Sequence, residues 1–131
     1  MTGLDTNILV RYFAEEDDAQ SGAATNVIHS LSPTQQGWVG LTVLLELHWV
    51  LTRTYRMKHQ AIIYVIDTLL ASRDIVVEQR DTVRQALLQF RNHNVDFPDC
   101  LIAASAKAAG CERTLTFDRN AARDAGMELL G

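Results

Sequence analysis

The 131-residue chain carries only two cysteines, Cys100 and Cys111, and two prolines. Two cysteines cannot make a disulfide framework, and these lack paired zinc-ligand spacing, so both read as buried, reduced thiols. The four histidines, His29, His48, His59 and His93, are dispersed with no cysteine beside them and form no ligand pair. Glycine is scarce as well: Gly37-Trp38-Val39-Gly40 matches neither nucleotide-binding fingerprint, which leaves no phosphate loop. No stretch reaches the roughly 18 consecutive apolar residues of a membrane-spanning helix. The opening Met-Thr-Gly-Leu-Asp-Thr-Asn has no basic region before an apolar one, so no secretory signal is expected and the predicted location is cytoplasmic. Positive charge is in deficit, with 12 Lys and Arg against 16 Asp and Glu and a net charge of −4. That excludes a broadly basic nucleic-acid clamp but leaves room for a local site that holds phosphate through a cation.

What is present suits one globular domain over residues 1–131, with 47% hydrophobic and 21% charged residues and no repeat or linker. After a short apolar start at Gly3-Leu4, helical patterns are predicted over residues 7–13, 19–31, 43–55, 58–71, 81–91, 96–109 and 119–125. Thr42 is expected to cap the helix over 43–55, Asp81 to open the one over 81–91, and Gly110 to end the one over 96–109. Strands are predicted at 37–40, 74–77, 114–117 and 127–130. Strands alternating with helices imply a parallel sheet covered on both faces, an α/β fold.

In such a sheet every strand ends at one edge, each following helix begins there, and ligands bind in the crevice at that edge. The exposed acidic run 15–18 is therefore of less interest than the acids at strand exits and first helical turns. Asp5 follows the first strand, and Asp118 follows the strand ending Thr116-Phe117; either also suits a helix N-cap. Asp96 and Asp99, around Phe97-Pro98, have the spacing of a capping box as well as of a ligand pair. Glu46 stands in Leu44-Leu45-Glu46-Leu47-His48-Trp49-Val50-Leu51, a helix apolar almost all round, which predicts burial and the need for a cation from elsewhere. Two carboxylates about 5 Å apart repel by roughly 3 kcal/mol at an effective dielectric of about 20. Gathering four of them calls for a hard divalent cation, and oxygen-only ligands favour Mg²⁺ or Mn²⁺ over zinc. A site of this kind suits metal-assisted phosphodiester hydrolysis.

Leu-Asp-Thr-Asn near the start, a glutamate in an apolar helix, Asp-Phe-Pro-Asp-Cys-Leu-Ile-Ala-Ala, and Thr-Phe-Asp-Arg-Asn-Ala-Ala, in that order, resemble the PIN domain. The likeness covers essentially the whole chain and is greatest to the VapC-type ribonuclease toxins of toxin–antitoxin pairs. It implies a three-layer α/β/α sandwich with a five-stranded parallel sheet. It also implies Mg²⁺- or Mn²⁺-dependent RNA cleavage leaving a 5′-phosphate and a 3′-hydroxyl, a homodimer, and a small antitoxin that blocks the site. Residue by residue, Asp5, Glu46, Asp99 and Asp118 match the family's acidic quartet, Asp5 and Asp99 as principal metal ligands. Asp96 matches an accessory acid, Thr6 and Asn7 the polar residues after the first aspartate, and Thr116 the polar residue before the fourth acid. The opening strand, Met1-Thr2-Gly3-Leu4, is less hydrophobic than the family pattern, so loose support for Asp5 is expected.

Arg11, Arg119 and Arg123 are candidate phosphate contacts, with ordinary surface charge as the alternative. Trp38, Trp49 and Tyr64 suit core or dimer packing better than base stacking. The helix over 58–71, with Ile62, Tyr64, Val65 and Leu69, is more apolar than one small core requires and is the expected subunit interface. Two rival functions are weighed. A receiver-type phosphoacceptor needs an acidic pair after the first strand, an aspartate after the third and a late lysine. Here Asp5 is single, Val77 leads to Glu78, and the last lysine is Lys107. A catalytically silent module that holds RNA or a protein remains open.

Overall fold

The computed structural model describes residues 1–14 and 16–131, so Glu15 of the acidic run lies outside the described residues. The chain divides into two compact units, Met1–Glu78 and Gln79–Gly131.

The first unit runs β1 (Thr2–Gly3), α1 (Thr6–Ala14), α2 (Ala19–Ser30), β2 (Gly37–Val39), α3 (Leu41–Arg53), α4 (His59–Ala71) and β3 (Ile75–Val77). Its three strands form a parallel ladder in the order β1-β2-β3, with Gly3 opposite Trp38 and Val39 opposite Val77. β1 is short and exposed, as its sequence suggested. Its backbone is nevertheless held, because Thr2 N–H donates to the Gln36 carbonyl at 2.8 Å and Leu4 N–H to the Trp38 carbonyl at 2.9 Å. Leu4 itself is buried, so Asp5 leaves a fixed point rather than a loose edge. Gly37 is where the ladder and its cover come closest. A Cβ there would lie 2.8 Å from Leu4 Cδ1 and 2.9 Å from Leu31 Cδ1, closer than packed atoms approach.

Local chemistry sets the helix starts. Asp18 caps α2 by accepting the Ser21 N–H at 2.7 Å. α3 begins earlier than predicted, with Gly40 rather than Thr42 at its N-cap and no capping side chain of its own. The acceptor comes from the end of β3 instead, where Glu78 Oε1 receives the Leu41 N–H at 2.8 Å. α4 buries Ile62, Ile63, Val65, Ile66, Leu69 and Leu70 within the single chain. That corrects the basis for a dimer on this helix: of the residues expected at the interface, only Tyr64 is left exposed.

The second unit runs α5 (Arg80–Asn92), α6 (Phe97–Ala108), β4 (Leu115–Thr116), α7 (Arg119–Asp124) and β5 (Glu128–Leu129). α5 opens from Gln79 in the left-handed region, with Asp81 inside its first turn rather than at the cap. α5 and α6 form the main helix pair, pinned at one end by an edge-to-face contact of Phe90 and Phe97 at 5.9 Å. α6 stops in a Schellman arrangement. Gly110, at φ 96°, donates to the Lys107 carbonyl, and Cys111 N–H donates to the Ala106 carbonyl. β4 and β5 pair in parallel, Leu115 opposite Glu128 and Thr116 opposite Leu129.

All the predicted elements occur, and the fold is helix-rich α/β. The five strands are shared between a three-stranded and a two-stranded ladder, which differs from the single five-stranded sheet expected. β1, β4 and β5 have two residues each, so each makes few ladder hydrogen bonds. Cys100 is buried as expected, but Cys111, just past the helix end, is exposed, and both are free thiols.

Candidate functional site

The first unit places Asp5 directly after β1, where its Oδ1 accepts the Thr6 N–H at 2.7 Å and its carbonyl accepts the Ile8 N–H at 3.1 Å. Asp5 therefore starts α1 while its second carboxylate oxygen takes no hydrogen bond among the described residues. Thr6 is buried, and its hydroxyl donates to Glu46 Oε1 at 2.9 Å. One residue thus ties the exit of β1 to the second turn of α3 and brings two of the expected acids into one hydrogen-bonded group. Asn7 is exposed beside them.

Glu46 itself is exposed, which corrects the expectation of burial. α3 is apolar nearly all round, yet it buries only the stripe Leu44, Leu47, His48 and Leu51. Glu46 lies off that stripe, and a neutral hydroxyl supports it. Trp49, also off the stripe, is partly exposed and carries the Arg53 guanidinium 4.0 Å above its ring.

The second unit holds the other acids. Asp96 is the N-cap residue of α6 by position, but its side chain makes no cap hydrogen bond. The capping box is therefore not formed, and Asp96 is left exposed. Asp99, in the first turn after Pro98, is half-buried. Burial first, then the negative charges of Asp118 and Asp96, hold its carboxyl above the ordinary aspartate range. Asp118 does serve as a cap: its Oδ1 accepts the Asn120 N–H at 2.8 Å and the Ala121 N–H at 3.1 Å. Thr116 Oγ1 accepts the Asp118 N–H at 3.0 Å, which fixes the turn from β4 into α7.

Each unit thus joins part of the expected set: Asp5 with Glu46 through Thr6, and Asp99 with Asp96 and Asp118 through the field. Among the described residues no three His, Cys, Asp or Glu side chains form a cluster able to hold a metal ion. The donors are nonetheless all oxygen: the carboxylates of Asp5, Glu46, Asp96, Asp99 and Asp118. That donor chemistry fits a hard divalent cation.

The three arginines separate. Arg11 is paired with Glu16 at 3.0 Å and Asp18 at 2.8 Å. Arg123 is held by Asp124 at 2.9 Å and Asn120 at 3.0 Å. Arg119 is exposed and has no ion-pair partner among the described residues.

Two residues escaped the sequence reading. Glu78 caps α3 from the end of β3, and its signal, an acid directly after a strand, is the one that marked Asp5 and Asp118. Phe117 lies between Thr116 and Asp118 and is 80% exposed, a state that strand patterning does not announce.

A helix-rich α/β fold with acids at its strand exits and first helical turns defines the class, and the chain belongs to the PIN domain family, whose profile matches residues 4–126. A curated relative is the VapC ribonuclease of Aquifex aeolicus (strain VF5). It is 24% identical over 116 residues, covering 88% of this chain and 86% of that protein. Among solved structures, the crystal structure of Mycobacterium tuberculosis VapC20, titled a sarcin-ricin loop cleaving toxin, is 23% identical. The match covers 94% of each chain with a TM-score of 0.47.

Proposed function

We propose that this chain is a metal-dependent endoribonuclease, the toxin of a toxin–antitoxin pair, built as one PIN domain over residues 1–131. The observation that carries the reading is the family match over residues 4–126, which contains Asp5, Glu46, Asp99 and Asp118 in the expected order at strand exits and early helical turns. The resemblance over 88% of the chain to a protein named VapC ribonuclease supports the choice of RNA as substrate.

Asp5 and Asp99 are the principal ligands of Mg²⁺ or Mn²⁺ in this reading, with Glu46 and Asp118 completing the set directly or through water. When bound, the cation supplies Lewis acidity: it offsets phosphate charge and lowers the pKa of water. The chain's own residues prepare the rest. The Thr6 backbone N–H fixes Asp5 through one oxygen, and the Thr6 hydroxyl orients Glu46. The N–H groups at the start of α7 hold Asp118 by Oδ1 alone and leave its other oxygen for a ligand. Asp96, freed from capping, adds negative potential beside Asp99 and draws a cation there. Arg119 contacts a phosphate of the RNA backbone. A small antitoxin protein and a second copy of the chain are the proposed partners, in the cytoplasm. No helix is long and apolar enough to cross a membrane among the described residues.

Purified protein incubated with mixed RNA in Mn²⁺, and again with excess chelator, tests the reading. Cleavage in Mn²⁺ that the chelator abolishes is expected. RNA that is retained but never cut would instead make the chain a silent binding module.

A further inference from the structure

Phe117 is the most exposed large apolar side chain among the described residues, yet it stands on a turn held by side-chain hydrogen bonds on both sides. On one side Thr116 Oγ1 accepts the Asp118 N–H at 3.0 Å; on the other Asp118 Oδ1 accepts the N–H groups of Asn120 and Ala121 at 2.8 and 3.1 Å. The turn is fixed by polar bonds that need nothing from the phenyl ring, and among the described residues the ring makes no aromatic contact. A fixed backbone presenting an unpacked ring costs little further ordering when a flat partner settles on it. Its neighbours in sequence narrow the partner's chemistry. Asp118, whose charge acts on Asp99, follows Phe117 directly, and Arg119, exposed and without an ion-pair partner among the described residues, comes next. A guanidinium for a phosphate, next to a ring for a base, is the combination by which single-stranded nucleic acid is held.

We infer that Phe117 is a stacking platform for one base of a single-stranded RNA segment, positioning the strand at the Asp99 and Asp118 carboxylates. The inference rests on the ribonuclease reading. It makes Phe117 a binding and positioning residue, since stacking is made alike in ground and transition states.

The test uses the whole chain in Mn²⁺ and a short single-stranded oligoribonucleotide carrying 2-aminopurine at successive positions. Stopped-flow fluorescence should show quenching at one position before cleavage. Phe117→Ala should remove that quench and raise KM roughly five- to a hundred-fold with kcat little changed. Phe117→Trp should restore both quench and KM. Because the ring is exposed, neither substitution should move the melting temperature. A Phe117→Ala protein with the parent's KM and quench overturns the inference while leaving the ribonuclease reading intact. The inference also falls if this variant alters sedimentation of the protein without RNA, because the ring would then belong to a protein contact. A parent chain that cuts no RNA overturns both.

Discussion

A carboxyl held above its ordinary range weakens a fold when it ionises, and Asp99 is such a group, through burial and through Asp118 and Asp96. The folded state binds its proton more tightly than the unfolded state does. Its contribution is therefore fullest below the ordinary value of 3.8 and is lost as pH rises through the raised one. In chelator, Asp99→Asn should be as stable as the parent near neutral pH or more so, with the difference closing as pH falls toward that value. Added Mn²⁺ should raise the parent's melting temperature by mass action and the variant's much less. A variant that is destabilised in chelator and still cuts RNA would reduce Asp99 to a first-turn helix residue. One position further on, burial and then the charges of Asp99 and Asp96 push the Cys100 thiol up to about 12, while Cys111 is exposed. Since the thiolate is the reactive form, iodoacetamide should label Cys111 and spare Cys100 in the native protein. Equal labelling of both would contradict the packing of α6. Residue identities placed the acids at their element starts, but their partners depend on contacts that spacing does not encode. The Thr6 hydroxyl reaches Glu46 across 40 positions, and Arg11 pairs with Glu16 and Asp18.

The amphipathic helices and β3 follow periodicity closely, because each buries one stripe or one short β-branched run. α4 is the clearest instance: Ile62, Val65, Ile66 and Leu69, spaced three or four apart, are all buried. Patterning failed where an element exceeds its own stripe. α3 is apolar beyond Leu44, Leu47, His48 and Leu51, so Glu46 read as buried when it is exposed. It failed also at the start of α3, where the expected cap Thr42 lies inside the helix and the acceptor for Leu41 N–H is Glu78, 37 positions away. The two candidates separate by mutation. Glu78→Ala should lower unfolding stability by about 1 kcal/mol in urea, the usual cost of a lost cap, whereas Thr42→Ala should leave it unchanged. The reverse order would restore Thr42 as the cap. The division into a three-stranded and a two-stranded ladder was not legible because strands of two residues carry almost no pattern, and the ladders they join are decided by tertiary packing.

At the scale of the whole chain, the net charge of −4 opposes a polyanion. Affinity for RNA must then rest on local contacts, and with Arg11 and Arg123 each in an ion pair Arg119 is the candidate without an ion-pair partner among the described residues. A single-strand phosphate contact contributes a slope of about −0.7 to log K against log salt. Arg119→Ala should reduce the slope by about that amount. Arg11→Ala should not reduce it, and equal slopes in parent and Arg119→Ala would remove Arg119 from the phosphate path. The family was legible in the sequence, as the match over residues 4–126 shows. The acids' shared service to one cation is a claim about chemistry, and an activity assay addresses it most directly. Parent, Asp5→Asn and Asp99→Asn proteins, each confirmed folded by its melting curve, are incubated with the same RNA in Mn²⁺ and in chelator. The expected result is cleavage by the parent in Mn²⁺ alone, with both variants slower by orders of magnitude. Undiminished cleavage by either variant, or cleavage by the parent in chelator, would contradict a cation held by these carboxylates.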